Sequence, residues 1–417
     1  MPILTTAHIA RPATASSPLT GFLTAGAELL AQEDPQLHGA VCVEHAGQES
    51  TLSLLADTGV VDPSVLACMA SVTRSVDQLA GDARVAIEEL AARRAREVFG
   101  AGYANVLPAS PGVALAGVLE AMSCPDGTVL DLRDESTVDD ELVGLGQLRV
   151  AEIAELAERT APAVIVCGGR HAPAGIDHRR LRAVADAVRA VLVADVTGTA
   201  GQIAVGAADN PVQHAHVTIA GTHDQLFGPH GAVVLTAAHD EVAEAIASTM
   251  TWSWPGATTL PAVAGKARAL HLTCSEPFRD TIRRVRTCAT QLAEELGGMG
   301  HPVRHEEFGN HVVLVALPDR FADADRVVAA LREVNLTAAA GPGPALRLGT
   351  ATLAARQFGS SEVRQIAELL DSVLGATRHD GTVDEFVRLS AHDSVRRLLS
   401  QFPLPCYVPV TQWEDYR

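Results

Sequence analysis

The sequence predicts an α/β protein, with a large domain built on a mostly parallel sheet and a smaller α+β domain after it. The first observation is an alternation. Short β-rich runs, Val129–Leu132, Val164–Cys167, Val191–Asp195 and Val217–Ala220, are interleaved with helical stretches such as Leu181–Arg189. The second is a change of pattern beyond about residue 265, where helices and strands follow one another over a shorter span. The third is size: 417 residues, 47% of them apolar, provide enough chain for two unequal cores.

Taken in order, residues 1–50 read as an N-terminal arm with a short helix around Leu23–Ala31, introduced by the Pro-Ala-Thr-Ala-Ser-Ser-Pro stretch. The large domain is expected over 51–265. Its first helix, Arg84–Phe99, places Ile87, Leu90, Ala91, Ala95 and Val98 on one face, with Asp82 as a cap and Gly100 as the stop. In open sheets of this kind ligands gather at the carboxyl ends of strands, which is where Asp195 and the His223-Asp224 pair fall. The small domain is expected over 266–400. It holds a helix with Ile282, Val285, Leu292 and Leu296 in phase, a strand His311–Leu317, a helix Asp325–Val334, a strand around Leu346 and a last helix, Ser361–Leu374. Residues 401–417, with Phe402, Tyr407, Trp413 and Tyr416 among prolines, read as a tail that packs on a surface.

Composition removes several function classes. A net charge of −18 repels phosphate backbones, so no nucleic-acid partner is expected. No apolar run is long enough for a membrane span, and Met1–Thr20 lacks a secretion signal, which makes the cytoplasm the expected location and membranes no partner. Seven cysteines without C-x-x-C spacing argue against a disulfide framework or a thiolate metal site. His214, His216, His223, His230 and Asp224 contain metal-ligating residue types, but they are read as hydrogen-bonded histidines, and no metal is expected.

Three segments carry the chemistry. They are Asp195-Val-Thr-Gly-Thr-Ala-Gly-Gln, then Asn210-Pro-Val-Gln-His-Ala-His-Val leading to Thr222-His223-Asp224-Gln225-Leu226, then Gly228-Pro-His-Gly-Ala-Val-Val-Leu. Their order and spacing resemble serine hydroxymethyltransferase, a pyridoxal-phosphate enzyme family, and the likeness runs from about Leu52 to Phe402, with Trp254-Pro-Gly, Asn310-His311 and Leu346-Arg347-Leu-Gly-Thr also recurring. The resemblance implies the fold-type I architecture of pyridoxal-phosphate transferases (aspartate aminotransferase-like), a homodimer and a small-molecule substrate. It also implies roles. Asp195 matches the carboxylate that pairs with the pyridine nitrogen, and His223 matches the residue before the Schiff-base lysine. Ser110 lies in the phosphate-binding segment, where Ser110-Pro111 also reads as a helix cap and first helical residue. Arg347 matches the arginine that clamps the substrate carboxylate.

Other positions depart from the family. Asp224 stands where the family has its lysine, and the chain has one lysine in all, Lys266, against 31 arginines. Lys266 matches a family helix away from the Schiff-base position and is expected to be structural. The stacking histidine has no counterpart in Asp134-Glu-Ser-Thr-Val-Asp, the tyrosine-bearing loop is shortened to Ser71-Val-Thr-Arg-Ser-Val-Asp-Gln-Leu-Ala-Gly, His230 replaces an arginine, and Ala339–Gly341 replace a run that helps hold folate. A carboxylate cannot form or exchange an imine, and it repels a phosphate. The expectation is therefore that the protein takes no cofactor, covalent pyridoxal phosphate and folate included; a noncovalent pyridoxal phosphate on Asp195 and Ser110 is the weaker alternative.

The expected function is that of a repurposed family member, a transferase or aldol-type lyase working without a Schiff base. Arg347, His230 and Ser110 would hold an amino-acid-like or carboxylate-bearing substrate, and Asp224, His223 and Asp195 would move protons. The alternative is a pseudoenzyme that binds a ligand or an active homologue. At single positions two readings stand side by side: Asp224 as recruited acid or base or as a tolerated small polar residue, Asp195 as site carboxylate or strand-end cap, Ser110 as phosphate ligand or helix cap, and Arg347 as clamp or structural ion pair.

Overall fold

A computed structural model describes residues 18–71, 82–122, 129–133, 150–169, 176–304, 311–321 and 323–404. The tyrosine-loop replacement after Ser71, the Asp134–Asp139 segment, the first 17 residues and the tail beyond residue 404 lie outside the described residues.

Among the described residues six strands form the large sheet, in the order Tyr103–Asn105, Ala232–Thr236, Val217–Gly221, Val191–Asp195, Val164–Gly168, Val129–Asp131. The last four run parallel, as the alternation predicts, while Ala232–Thr236 is antiparallel to both of its neighbours. The central strands are buried on both faces, which explains why they read as unbroken apolar runs rather than alternating ones. This is the mixed α/β architecture that the resemblance implies. At the carboxyl end of Val164–Gly168, Gly168 has φ +94° and its missing Cβ would strike the Asp195 carbonyl; the close approach lets the Gly169 N–H donate to that carbonyl (2.6 Å).

A second, antiparallel sheet orders Ala339–Ala340, Ala345–Gly349, Val312–Ala316 and Val303–Arg304. The helix Glu276–Gly298 connects the two halves. It is capped by Ser275, whose Oγ accepts from the Phe278 N–H. Phe278, Ile282 and Val285 enter the core beside the large sheet, and Cys288, Ala289, Leu292 and Leu296 enter the core beside the small one. One stripe at helical spacing thus serves both cores. Leu52–Ser53 pairs in parallel with Leu336–Thr337, and Leu52 and Leu54 are fully buried in the small-sheet core.

The arm differs from the reading of the sequence. Instead of one short helix there are two, Pro18–Glu33 and Pro35–Ser50, joined at Asp34, whose side chain accepts from the Leu37 N–H. The second helix buries no residue, so it has no apolar stripe for periodicity to reveal. A further helix, Glu385–Gln401, follows the one expected to be last, and its Val395, Leu398 and Leu399 complete the small-domain core. No helix among the described residues is long and apolar enough to cross a membrane.

Candidate functional site

Asp195 ends its strand 6% exposed, with Oδ1 accepting from the Thr197 N–H (3.0 Å). Its other oxygen accepts from Arg133 Nη1 (2.9 Å), while Arg133 Nε and Nη2 donate to the two oxygens of Asp131 (2.9 and 2.7 Å). A guanidinium is thereby held between carboxylates at the ends of two strands that are not neighbours. Hydrogen bonding to Asp131 first, then the charges of both aspartates, raise the Arg133 pKa above its ordinary value against the opposing effect of burial. Sequence reasoning did not single out Arg133: the signal was only a basic residue two places past a strand-end aspartate.

After the strand Val217–Gly221 the chain closes a tight loop. Thr222 Oγ1 donates to the Pro229 carbonyl (2.7 Å), the Thr222 N–H to the Gly231 carbonyl, and the Gly228 N–H to the Thr222 carbonyl. Within the loop His223 Nε2 lies 2.8 Å from Asp224 Oδ1, and the His223 ring stacks on His230 with centroids 4.2 Å apart. His230 Nδ1 sits 3.2 Å from the Ala109 carbonyl, which ties the loop to Ser110. Asp224 is 1% exposed and points at His223 rather than into open space. Beside it Gln225 Nε2 donates to His311 Nδ1 (2.6 Å), and His311 Nε2 donates to the Ala56 carbonyl (2.7 Å). That pair of bonds assigns a neutral ring, and burial lowers the pKa of His311 accordingly.

Ser110 caps the helix Pro111–Ala121, its Oγ accepting from the Val113 N–H (3.2 Å). Pro111 has no N–H, so the cap leaves this terminus few donors for an anion. Arg347 lies in the strand Ala345–Gly349, 5% exposed, and its Nη2 donates to both oxygens of Asp57 (2.8 and 2.7 Å). Lys266 is fully buried in the helix Leu260–Leu272, and its ammonium donates to the carbonyls of Val106, Pro108 and Ala232 at 2.7–2.9 Å.

Ser110, Asp195, His223 and His230 are thus brought around one strand-end region, linked through Thr197, whose Oγ1 accepts from the Gly221 N–H (3.2 Å). His311 is bonded to Gln225 on one side and, on the other, to the carbonyl of Ala56, the residue before the Asp57 that Arg347 holds. His216 stands apart: its Nδ1 accepts from the Leu192 N–H, and its Nε2 lies 3.5 Å from Asp186. Among the described residues no three metal-ligating side chains converge.

A family model for serine hydroxymethyltransferase matches residues 137–370. Among curated relatives, serine hydroxymethyltransferase 2 of Burkholderia pseudomallei is 29% identical over 413 residues, covering 90% of this chain and 97% of that protein. The serine hydroxymethyltransferase of Ruegeria pomeroyi is 29% identical over 424 residues, covering 92% and 97%. These matches overturn one expectation. A chain aligned along nine-tenths of its length with these enzymes stands in a pyridoxal-phosphate family, and the reading that it takes no cofactor conflicts with that membership. Pyridoxal phosphate is the group the family implies. The residues present fit it poorly as a covalent ligand: Asp195 is engaged by Arg133, the helix terminus at Ser110 is largely spent, and the chain's one lysine is held on three carbonyls. The chain belongs to the serine hydroxymethyltransferase family.

Proposed function

We propose that this family member does not run the lysine-dependent reaction and instead acts as a pseudoenzyme, using the inherited architecture to bind a small ligand or a homologous subunit. The observation that carries the reading is the fate of the amine. By its motif resemblance Asp224 stands where the family has its lysine, and Lys266 is 0% exposed with its Nζ 2.7–2.9 Å from three backbone carbonyls. An imine needs a free, unprotonated amine in contact with the aldehyde, and no described side chain offers one. Incubation with pyridoxal phosphate, borohydride reduction and intact-mass analysis test it. The expected mass is that of the unmodified chain, whereas a reduced adduct on Lys266, or turnover of serine with folate, refutes the reading.

One observation supports the repurposed enzyme as a second reading. The His223–Asp224 contact, backed by the stacked His230, is an acid–base pair at a strand end, with the His223 side chain 13% exposed. In that case Asp224 orients His223, and His223 touches the substrate.

A further inference from the structure

Arg347 presents an internal contradiction. The residue expected to hold a substrate carboxylate already holds one, and that carboxylate belongs to the chain. Arg347 Nη2 donates to both oxygens of Asp57, while Nε and Nη1 are buried with no hydrogen-bond partner among the described residues. Asp57 is not a stray surface contact. The segment that carries it is fixed from both sides: the Leu54 N–H donates to the Thr337 carbonyl, the Gly349 N–H donates to the Leu54 carbonyl, and His311 donates to the Ala56 carbonyl. Two residues further on, Gly59 lies so close to the carbonyls of His223 and Asp224 that a Cβ there would overlap them. The carboxylate is therefore preorganised against the guanidinium by backbone bonds, between the small sheet and the His223-Asp224 loop. It is 32% exposed, against 7% for the Arg347 side chain, so Asp57 forms the outer face of the pair.

We infer that Asp57 is a specificity-determining residue that fills the carboxylate position of Arg347 and excludes ligands bearing a free carboxylate, amino acids included. A ligand carboxylate would have to displace a tethered one, or share one guanidinium with it as a like charge in a poorly solvated place. The ligands that remain compatible are neutral or esterified at that end, with a carbonyl or hydroxyl oxygen facing the pair. The inference goes beyond the proposed function and stands whether or not chemistry follows binding. A covalent pyridoxal adduct would refute the proposed function without touching the Asp57–Arg347 pair.

The test is calorimetric titration of glycine, L-serine and acetate into the full-length wild-type protein, Asp57→Asn, and Asp57→Asn combined with Arg347→Gln, with circular dichroism as the check on folding. Wild type should show no saturable binding at tens of millimolar. Asp57→Asn should gain at least about 30-fold in affinity for the carboxylates, the lower end of what a close buried charge pair contributes. Adding Arg347→Gln should remove the gain. Saturable low-millimolar binding to wild type, or a folded Asp57→Asn protein that gains less than about threefold, overturns the inference. If Asp57→Asn does not fold, Asp57→Ser takes its place under the same two criteria, and the wild-type titration decides independently.

Discussion

Lys266 gives the most direct access to the energetics of this site, because a chain with one lysine has one lysine titration. Burial pulls its pKa from 10.5 down to about 7. Between those values the unfolded chain keeps a proton that the folded chain has released, so stability rises with pH across the window and the contribution is complete above 10.5. From pH 7.0 to 8.5 the two pKa values imply a gain of about 2 kcal/mol. Buried thiols act in the opposite direction, Cys167 being raised to about 12 and Cys288 to about 11, but they begin to matter only near the unfolded thiol value of 9.0. The assay is urea denaturation at half-unit pH steps for wild type and Lys266→Met. The expected result is a rise in wild-type stability, relative to the variant, of about 2 kcal/mol over that interval. Parallel curves would refute the reasoning. They would mean that the carbonyls of Val106, Pro108 and Ala232 hold the proton strongly enough to cancel the cost of burial.

Two further substitutions probe the frame of the site. Arg133→Met leaves Asp131 and Asp195 facing each other without a cation and should cost about 3 kcal/mol in chemical denaturation, with Asp131→Asn in the same background recovering part of the loss. Gly59→Ala drives a methyl group into the backbone carbonyls of the His223-Asp224 loop and should lower stability by about 2 kcal/mol, read as a fall in the thermal midpoint.

What the sequence reveals is uneven for physical reasons. The parallel strands are legible because burial on both faces leaves unbroken apolar runs such as Val191–Ala194. The helix Glu276–Gly298 is legible because its stripe repeats at 3.6 residues. The helix Pro35–Ser50 carries no stripe, yet Asp34 followed by Pro35 was a start signal that could have found it. The helix Glu385–Gln401 also carried its signal, a capping Asp384 before Ala391, Val395 and Leu398. The partners of the site were not legible at all. Arg347 meets Asp57 across 290 positions, and Arg133 meets Asp195 across 62. Periodicity and local motifs describe neighbours along the chain, whereas charge matching at strand ends is decided by which loops the tertiary fold brings together.

That matching has a direction. Arg347 is paired with Asp57, Asp195 with Arg133, and Asp224 lies against His223. A site that waits for a charged ligand keeps uncompensated charge, which lowers the stability of the empty protein and raises affinity when the ligand arrives. Here the chain supplies the counter-charges itself. Any ion entering the site must first break one of these pairs. Ligands without formal charge at these two ends meet no such barrier. On the proposed reading, the Asp57 and Arg133 pairings would favour neutral polar ligands over charged ones at these two ends.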